Sequence, residues 1–231
     1  MEISRRTLLQ TAAALPVLAA QAVKRPNILL LFPDQLRFDW TQANRELPVR
    51  TPNLEALASR GVRFTNAIVP SPLCAPSRAC LAAGKEYERC GVASNAEDYP
   101  LDQTTYYKLL RDAGYHVAGC GKLDLSKRSH LWGLDGKARM NEWGFSDMVN
   151  NAGKFDAITA SAQEPKDPYM AYLYRRGLAQ AHIADFRRRQ KAGYADTGSR
   201  RWMTKPTATI GFRRTALTCC AMRRKRNLGT S

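Results

Sequence analysis

Asn27-Ile28-Leu29-Leu30-Leu31-Phe32-Pro33-Asp34 is the stretch that decides the fold class. Five apolar residues run from Ile28 to Phe32 without alternation, the pattern of a strand covered on both faces. Such strands belong to parallel sheets packed between helices. Pro33-Asp34 stops the run and leaves a carboxylate at the strand's carboxyl end, where open α/β sheets bind ligands. Downstream, Thr51-Pro52 opens a helix, with Thr as cap, Pro in the first turn, Leu54, Leu57 and Ala58 inward and Gly61 closing. Val62 to Val69 predicts a second strand, and Pro76 to Ala83 a short helix ended by Gly84. Thr104 to Ala113 predicts a third helix stopped at Gly114, and Tyr115 to Gly119 the next strand. This alternation predicts an α/β fold with a mostly parallel sheet flanked by helices. Lys122 to Phe155, rich in Gly, Trp and Asp, is expected to be an irregular excursion on the ligand side. Pro168 then begins a long helix with Met170, Leu173, Tyr174, Leu178 and Ala181 on one face.

The 231 residues carry a formal charge of +16, unevenly spread. The first 22 residues contribute only +1, while Ser199 to Ser231 contribute +9 with no acid at all. An excess concentrated at one end argues against a nucleic-acid-binding domain. No apolar run reaches the ~18–20 residues of a membrane span, so stable membrane insertion is not expected. The six cysteines include no C-x-x-C pair, which removes the usual structural zinc modules. Ser4-Arg5-Arg6-Thr7-Leu8-Leu9, a mild apolar stretch to Ala20 and the small residues of Ala20-Gln21-Ala22 resemble a twin-arginine signal. Residues 1–22 are therefore expected to be a signal peptide read by the Tat translocase, with a periplasmic or secreted destination.

Cys74-Ala75-Pro76-Ser77-Arg78-Ala79-Cys80-Leu81-Ala82-Ala83-Gly84 is the most specific signal in the chain. It resembles the signature C-x-P-S-R-x-x-L-x-x-G of the formylglycine-dependent sulfatases, a family of the alkaline-phosphatase-like superfamily. The resemblance extends to Arg25-Pro26-Asn27-Ile28 with Asp34-Gln35, to Thr51-Pro52-Asn53-Leu54 and to Gly61-Val62-Arg63-Phe64. It reaches Gly114-Tyr115-His116 and Gly121-Lys122 and covers roughly Lys24 to Thr197. It implies an alkaline-phosphatase-like fold and hydrolysis of a sulfate ester. It also implies that a formylglycine-generating maturation enzyme oxidises Cys74, with Arg78 and Lys122 as further catalytic residues. Asp34 and the modified Cys74 would hold one divalent cation, Ca²⁺. A thiol is a poor nucleophile toward sulfur, whereas a hydrated aldehyde offers two hydroxyls, one to attack and one to expel sulfate. Pro76 in the first turn would place position 74 just ahead of a helix N-terminus, whose free N–H groups favour an anion. The Arg78 fork, four residues on, suits a pair of oxygens.

Each of these residues also has a plainer reading: Cys74 as a partly buried thiol, Asp34 as a turn cap, Lys122 as a solvated loop lysine. Two departures from the family pattern stand out. Gln35 replaces a common second aspartate, although an amide oxygen still suits a hard cation. Asp124 replaces the histidine of Gly-Lys-x-His, leaving Lys127 or His130 as candidates for its task. The aromatic run around Trp132, Gly133 and Trp143 reads as packing. The resemblance also implies a longer protein, with 23–197 as the front part of the domain and this chain an inactive, aggregation-prone fragment. The acid-free tail 198–231 reads as out of frame. Shifting one base earlier at Trp202-Met203-Thr204 forces two consecutive aspartates, the start of an acidic segment. Alternatives are a phosphodiesterase or phosphonate hydrolase of the same superfamily, or a non-enzymatic basic binding protein.

Overall fold

Thr51 and Gln42 clamp the entry to the first helix. The Gln42 N–H donates to Thr51 Oγ1 at 2.8 Å, and the Thr51 N–H donates back to Gln42 Oε1 at 3.1 Å. The Thr51 hydroxyl is thus turned to a preceding loop and does not cap helix α1, Pro52–Ala58. The computed structural model describes residues 25–37 and 39–193, which fall into two compact units, one ending at Thr65 and one starting at Asn66. The expected signal peptide at 1–22 and the basic tail at 198–231 lie outside the described residues. No helix among the described residues is long and apolar enough to cross a membrane.

The first unit and the start of the second depart from the sequence-based expectation. Ile28 to Phe32 and Val62 to Val69 carry the composition of buried strands, yet neither is a strand. Leu29 is 81% exposed and Ile68 91%. Leu54 and Leu57 of α1 are exposed as well. The physical reason is that a strand exists only in a ladder, and among the described residues the one ladder lies elsewhere. Apolar composition alone does not hold a chain extended and covered.

In the second unit, helix α2 spans Cys74–Ala83 and ends as expected at Gly84, whose left-handed φ of +62° turns the chain. A short 3₁₀ turn follows at Tyr87–Arg89. Helix α3, Tyr106–Asp112, is capped by Thr105, whose Oγ1 accepts the Lys108 N–H at 3.0 Å and donates to the Trp143 carbonyl at 2.6 Å. Strand β1 is Ala118–Gly121, displaced toward the C-terminus from the expected Tyr115–Gly119. It pairs in parallel with β2, Asp147–Asn150, in the register Ala118 to Asp147 through Gly121 to Asn150. The ladder selects the small residues of Ala-Gly-Cys-Gly because bulky side chains approach from β2. A Cβ on Gly119 would lie 2.7 Å from Met148 Sδ. Strand β2 stands where an irregular excursion was expected, and helix α4, Lys154–Ala160, begins at its end.

The expected long helix after Pro168 is two helices, α5 at Pro168–Arg175 and α6 at Ala179–Lys191. Gly177 at φ +65° breaks it through a Schellman motif. The Leu178 N–H donates to the Leu173 carbonyl and the Gly177 N–H to the Tyr174 carbonyl. Met170 and Leu173 are buried as expected, while beyond the break Ala179, Ile183 and Phe186 turn inward and Ala181 does not. One apolar cluster joins α2, α3 and β2 around Trp143, Tyr107 and Phe145. A second gathers Trp132, Ile158, Met170, Leu173 and Phe186. Both tryptophans are buried, as the packing reading expects.

Gly144 is the tightest backbone approach in this unit. It sits at φ +105°, and a Cβ there would lie 2.3 Å from the Lys108 backbone nitrogen. Gly144→Ala should cost about 2–4 kcal/mol, combining left-handed strain with overpacking. Hydrogen exchange should show α3 amides losing protection about tenfold or more. Gly84→Ala, with open space around it, should leave α3 unchanged. Equal α3 protection in Gly144→Ala and the unaltered chain would contradict this packing.

Candidate active site

Helix α2 presents its small residues Ala75, Ala79 and Ala82 to the core, which brings its backbone close and buries Arg78 on the same face. Cys74 is the first helical residue, half-buried, behind Leu73 in extended conformation. The helix thus begins two residues before the expected Pro76, and the thiol lies in its first turn and not ahead of it. The local donors are also fewer than expected. The Ala75 N–H is taken by Asn95 Oδ1 at 3.0 Å, Pro76 has none, and the Ser77 N–H returns to the Leu73 carbonyl at 3.1 Å. Anion binding here therefore cannot lean on a row of free backbone N–H groups. Sequence reasoning missed Asn95, since nothing in its spacing, 20 residues downstream, marks it as a cap.

Arg78 reaches across to the end of β1. Its Nη1 donates to the Lys122 carbonyl at 2.5 Å, joining residues 44 apart in sequence. A buried guanidinium needs such acceptors, and this one ties α2 to the loop that carries Lys122. Cys74 and Arg78, four apart, share a helix face. Two of the three expected catalytic residues are thus brought into direct contact, and the third lies one turn from Arg78.

Past β1, the chain is pinned to β2. The Asn151 N–H donates to the Gly121 carbonyl at 2.9 Å, and the Leu123 N–H to Asn150 Oδ1 at 3.2 Å. The Lys122 stem lies over Gly153, where a Cβ would come within 2.9 Å of Cε. Its Nζ stands 3.2 Å from Asp124 Oδ2. Lys127 Nζ approaches the same oxygen at 3.3 Å and also pairs with Asp156 of the α4 first turn. Two lysines and two aspartates therefore close a neutral cluster beyond the carboxyl ends of both strands. Asp156 was not singled out from sequence; its place in the first turn of a helix after Gly153 was the available signal. His130 instead stacks on Trp132, with ring centroids 5.0 Å apart.

Asp34 lies in the first unit, exposed at a bend, with Gln35 at φ +47°. Among the described residues no group of three or more His, Cys, Asp or Glu side chains gathers to hold a metal ion. The carboxylate of Asp34 and the amide of Gln35 are hard oxygen donors of the kind Ca²⁺ accepts. They fit it in chemistry but fall short of its ~6–8 ligands.

A sequence profile described as Sulfatase matches residues 26–194. The chain is 37% identical to steryl-sulfatase of Homo sapiens over 122 residues, 48% of this chain and 21% of that protein. It is 40% identical to choline-sulfatase of Rhizobium meliloti (strain 1021) over 111 residues, 48% of this chain and 22% of that protein. Arylsulfatase A of Homo sapiens is 37% identical over 131 residues, 54% of this chain and 25% of that protein. The matched stretch thus spans between a fifth and a quarter of these relatives.

The cysteines of the site region should differ sharply in reactivity. Burial, with Cys90 beside it, pushes the Cys80 thiol up to about 11, and the thiolate is the reactive form. At pH 8 iodoacetamide should modify the exposed Cys120 and spare Cys80, which should react only as pH approaches its raised value. Peptide mass spectrometry reads this directly. Alkylation of Cys80 at the rate of Cys120 in the folded chain would contradict the packing of α2.

Proposed function

Because the chain belongs to the sulfatase family, we propose that it carries the nucleophile-bearing part of a sulfuric ester hydrolase whose reactive group is made from Cys74. The fold is the family's alkaline-phosphatase-like α/β arrangement in part, with the parallel pair β1 and β2 at the site. The observation that carries the reading is the Arg78 contact with the Lys122 carbonyl. It brings the C-x-P-S-R motif and the Gly-Lys motif, matched separately in sequence, to one corner at the carboxyl ends of the strands.

Position 74 supplies the attacking oxygen once its thiol has been converted to a hydrated aldehyde by a maturation enzyme. Arg78 fixes that helix turn against β1, and its remaining fork geometry suits oxygens held beside position 74. The Lys122 ammonium stands ready to stabilise negative charge on a sulfate or its leaving oxygen. A divalent cation, Ca²⁺ in this reading, would lower the cost of gathering negative oxygens around sulfur. Asp34 and the oxygens at position 74 are its proposed ligands, on the strength of the sequence pattern. We assign residues 1–22 to Tat export toward the periplasm or exterior, 23–197 to the front of the sulfatase domain, and 198–231 to an out-of-frame tail.

The test is a substrate panel on a frame-corrected protein coexpressed with the maturation enzyme. Sulfate esters should turn over well above phosphodiesters and phosphonate esters. Cys74→Ala should remove turnover, and Arg78→Lys should lower it about 100-fold or more, since a lysine cannot replace the fork. Phosphodiester turnover exceeding that of every sulfate ester would overturn the assignment.

A further inference from the structure

Asp124 occupies the position where the family pattern Gly-Lys-x-His carries an imidazole. Its backbone φ is +55°, a left-handed conformation that Asp, Asn and His tolerate better than other side chains. The turn therefore admits either residue, and the chemistry at its tip differs. An imidazole can donate a proton, whereas this carboxylate faces two ammonium groups. Asp124 Oδ2 stands 3.2 Å from Lys122 Nζ and 3.3 Å from Lys127 Nζ. Asp124 Oδ1 is buried and accepts no hydrogen bond. The two ammoniums are thus the contacts that account for a carboxylate whose side chain is only 1% exposed. A backbone cap would instead direct at least one oxygen to an N–H group.

Lys127 is held from its other side by Asp156, so it does not depend on Asp124 alone. His130, the alternative substitute, is committed to the face of Trp132. We propose that Asp124 is a positioning residue that sets the Lys122 ammonium at the end of β1. Lys127, braced by Asp156, supplies the second cationic group of this corner in place of the family's imidazole. The inference rests on the sulfatase reading for the task of Lys122, while the charge network itself stands on the distances above. The groups facing Lys122 in it are the Asp124 carboxylate, the Lys127 ammonium beyond it and Asp156 behind that. Arg78 approaches from α2 through the Lys122 carbonyl.

The experiment is site-resolved lysine acetylation of the full 231-residue chain with acetic anhydride between pH 7 and 10. Acetylation needs an accessible amine, so an ammonium buried against a carboxylate reacts slowly. At pH 8 Lys122 and Lys127 should react about tenfold slower than the exposed Lys166. Asp124→Asn should speed Lys122 about tenfold, while Asp156→Asn should speed Lys127 and leave Lys122 within twofold. Lys108, which donates to the Leu101 and Gln103 carbonyls, reports general loosening. If Asp124→Asn also speeds Lys108, Asp124→Glu decides: a slow Lys122 supports the proposal and a fast one overturns it. Lys122 unchanged in Asp124→Asn, or as fast as Lys166 in the unaltered chain, overturns it as well. No sulfate ester enters the measurement, so this failure is distinct from failure of the substrate panel.

Discussion

One buried guanidinium organises the second unit. Arg78 is carried inward by a helix face that is otherwise alanine, and its charge must find acceptors in a place with little water. It finds the carbonyl of Lys122, the residue that follows β1. This bond links α2, four residues on from position 74, to the carboxyl end of the sheet. Replacing Arg78 with an apolar residue would remove this bond to the Lys122 carbonyl, and replacing it with Lys would lose the planar fork.

The cluster beyond β1 is the second consequence. Charges this deep are costly unless each has a partner, and Lys122, Asp124, Lys127 and Asp156 form a chain in which signs alternate. Alternating charges keep ammonium groups in place without a large net charge at the corner. Gly153 and Asn150 complete the arrangement by giving the Lys122 stem room and pinning the backbone behind it.

The helices with strong end signals were legible in sequence. Gly84 and the Pro168 first turn mark real boundaries, and Thr104 to Ala113 brackets α3, because caps are local chemistry. Gly177 was equally local, yet the apolar period running through it hid the break. Strands fared worse, since a ladder is a long-range property. The most apolar runs, Ile28 to Phe32 and Val62 to Val69, stay outside it, while the unpromising Ala-Gly-Cys-Gly forms β1. At the candidate site, Cys74, Arg78 and Lys122 were singled out through motif spacing. Asn95 and Asp156 were not, because a cap and a counter-ion supplied from 20 and 29 residues away leave no mark in spacing. Whether Lys127 or His130 stands by Asp124 was likewise open until the contacts were in view.

The central claim is that position 74 is a nucleophile made from cysteine, and the mass of its peptide tests that most directly. The chain should be produced in a host that matures other sulfatases and digested, and the peptide bearing Cys74 to Arg78 weighed. The account predicts the loss of mass that accompanies conversion of a thiol to an aldehyde, together with reaction of that peptide with a hydrazide probe. An intact cysteine at position 74, in a host shown in the same experiment to convert a control sulfatase, would contradict it.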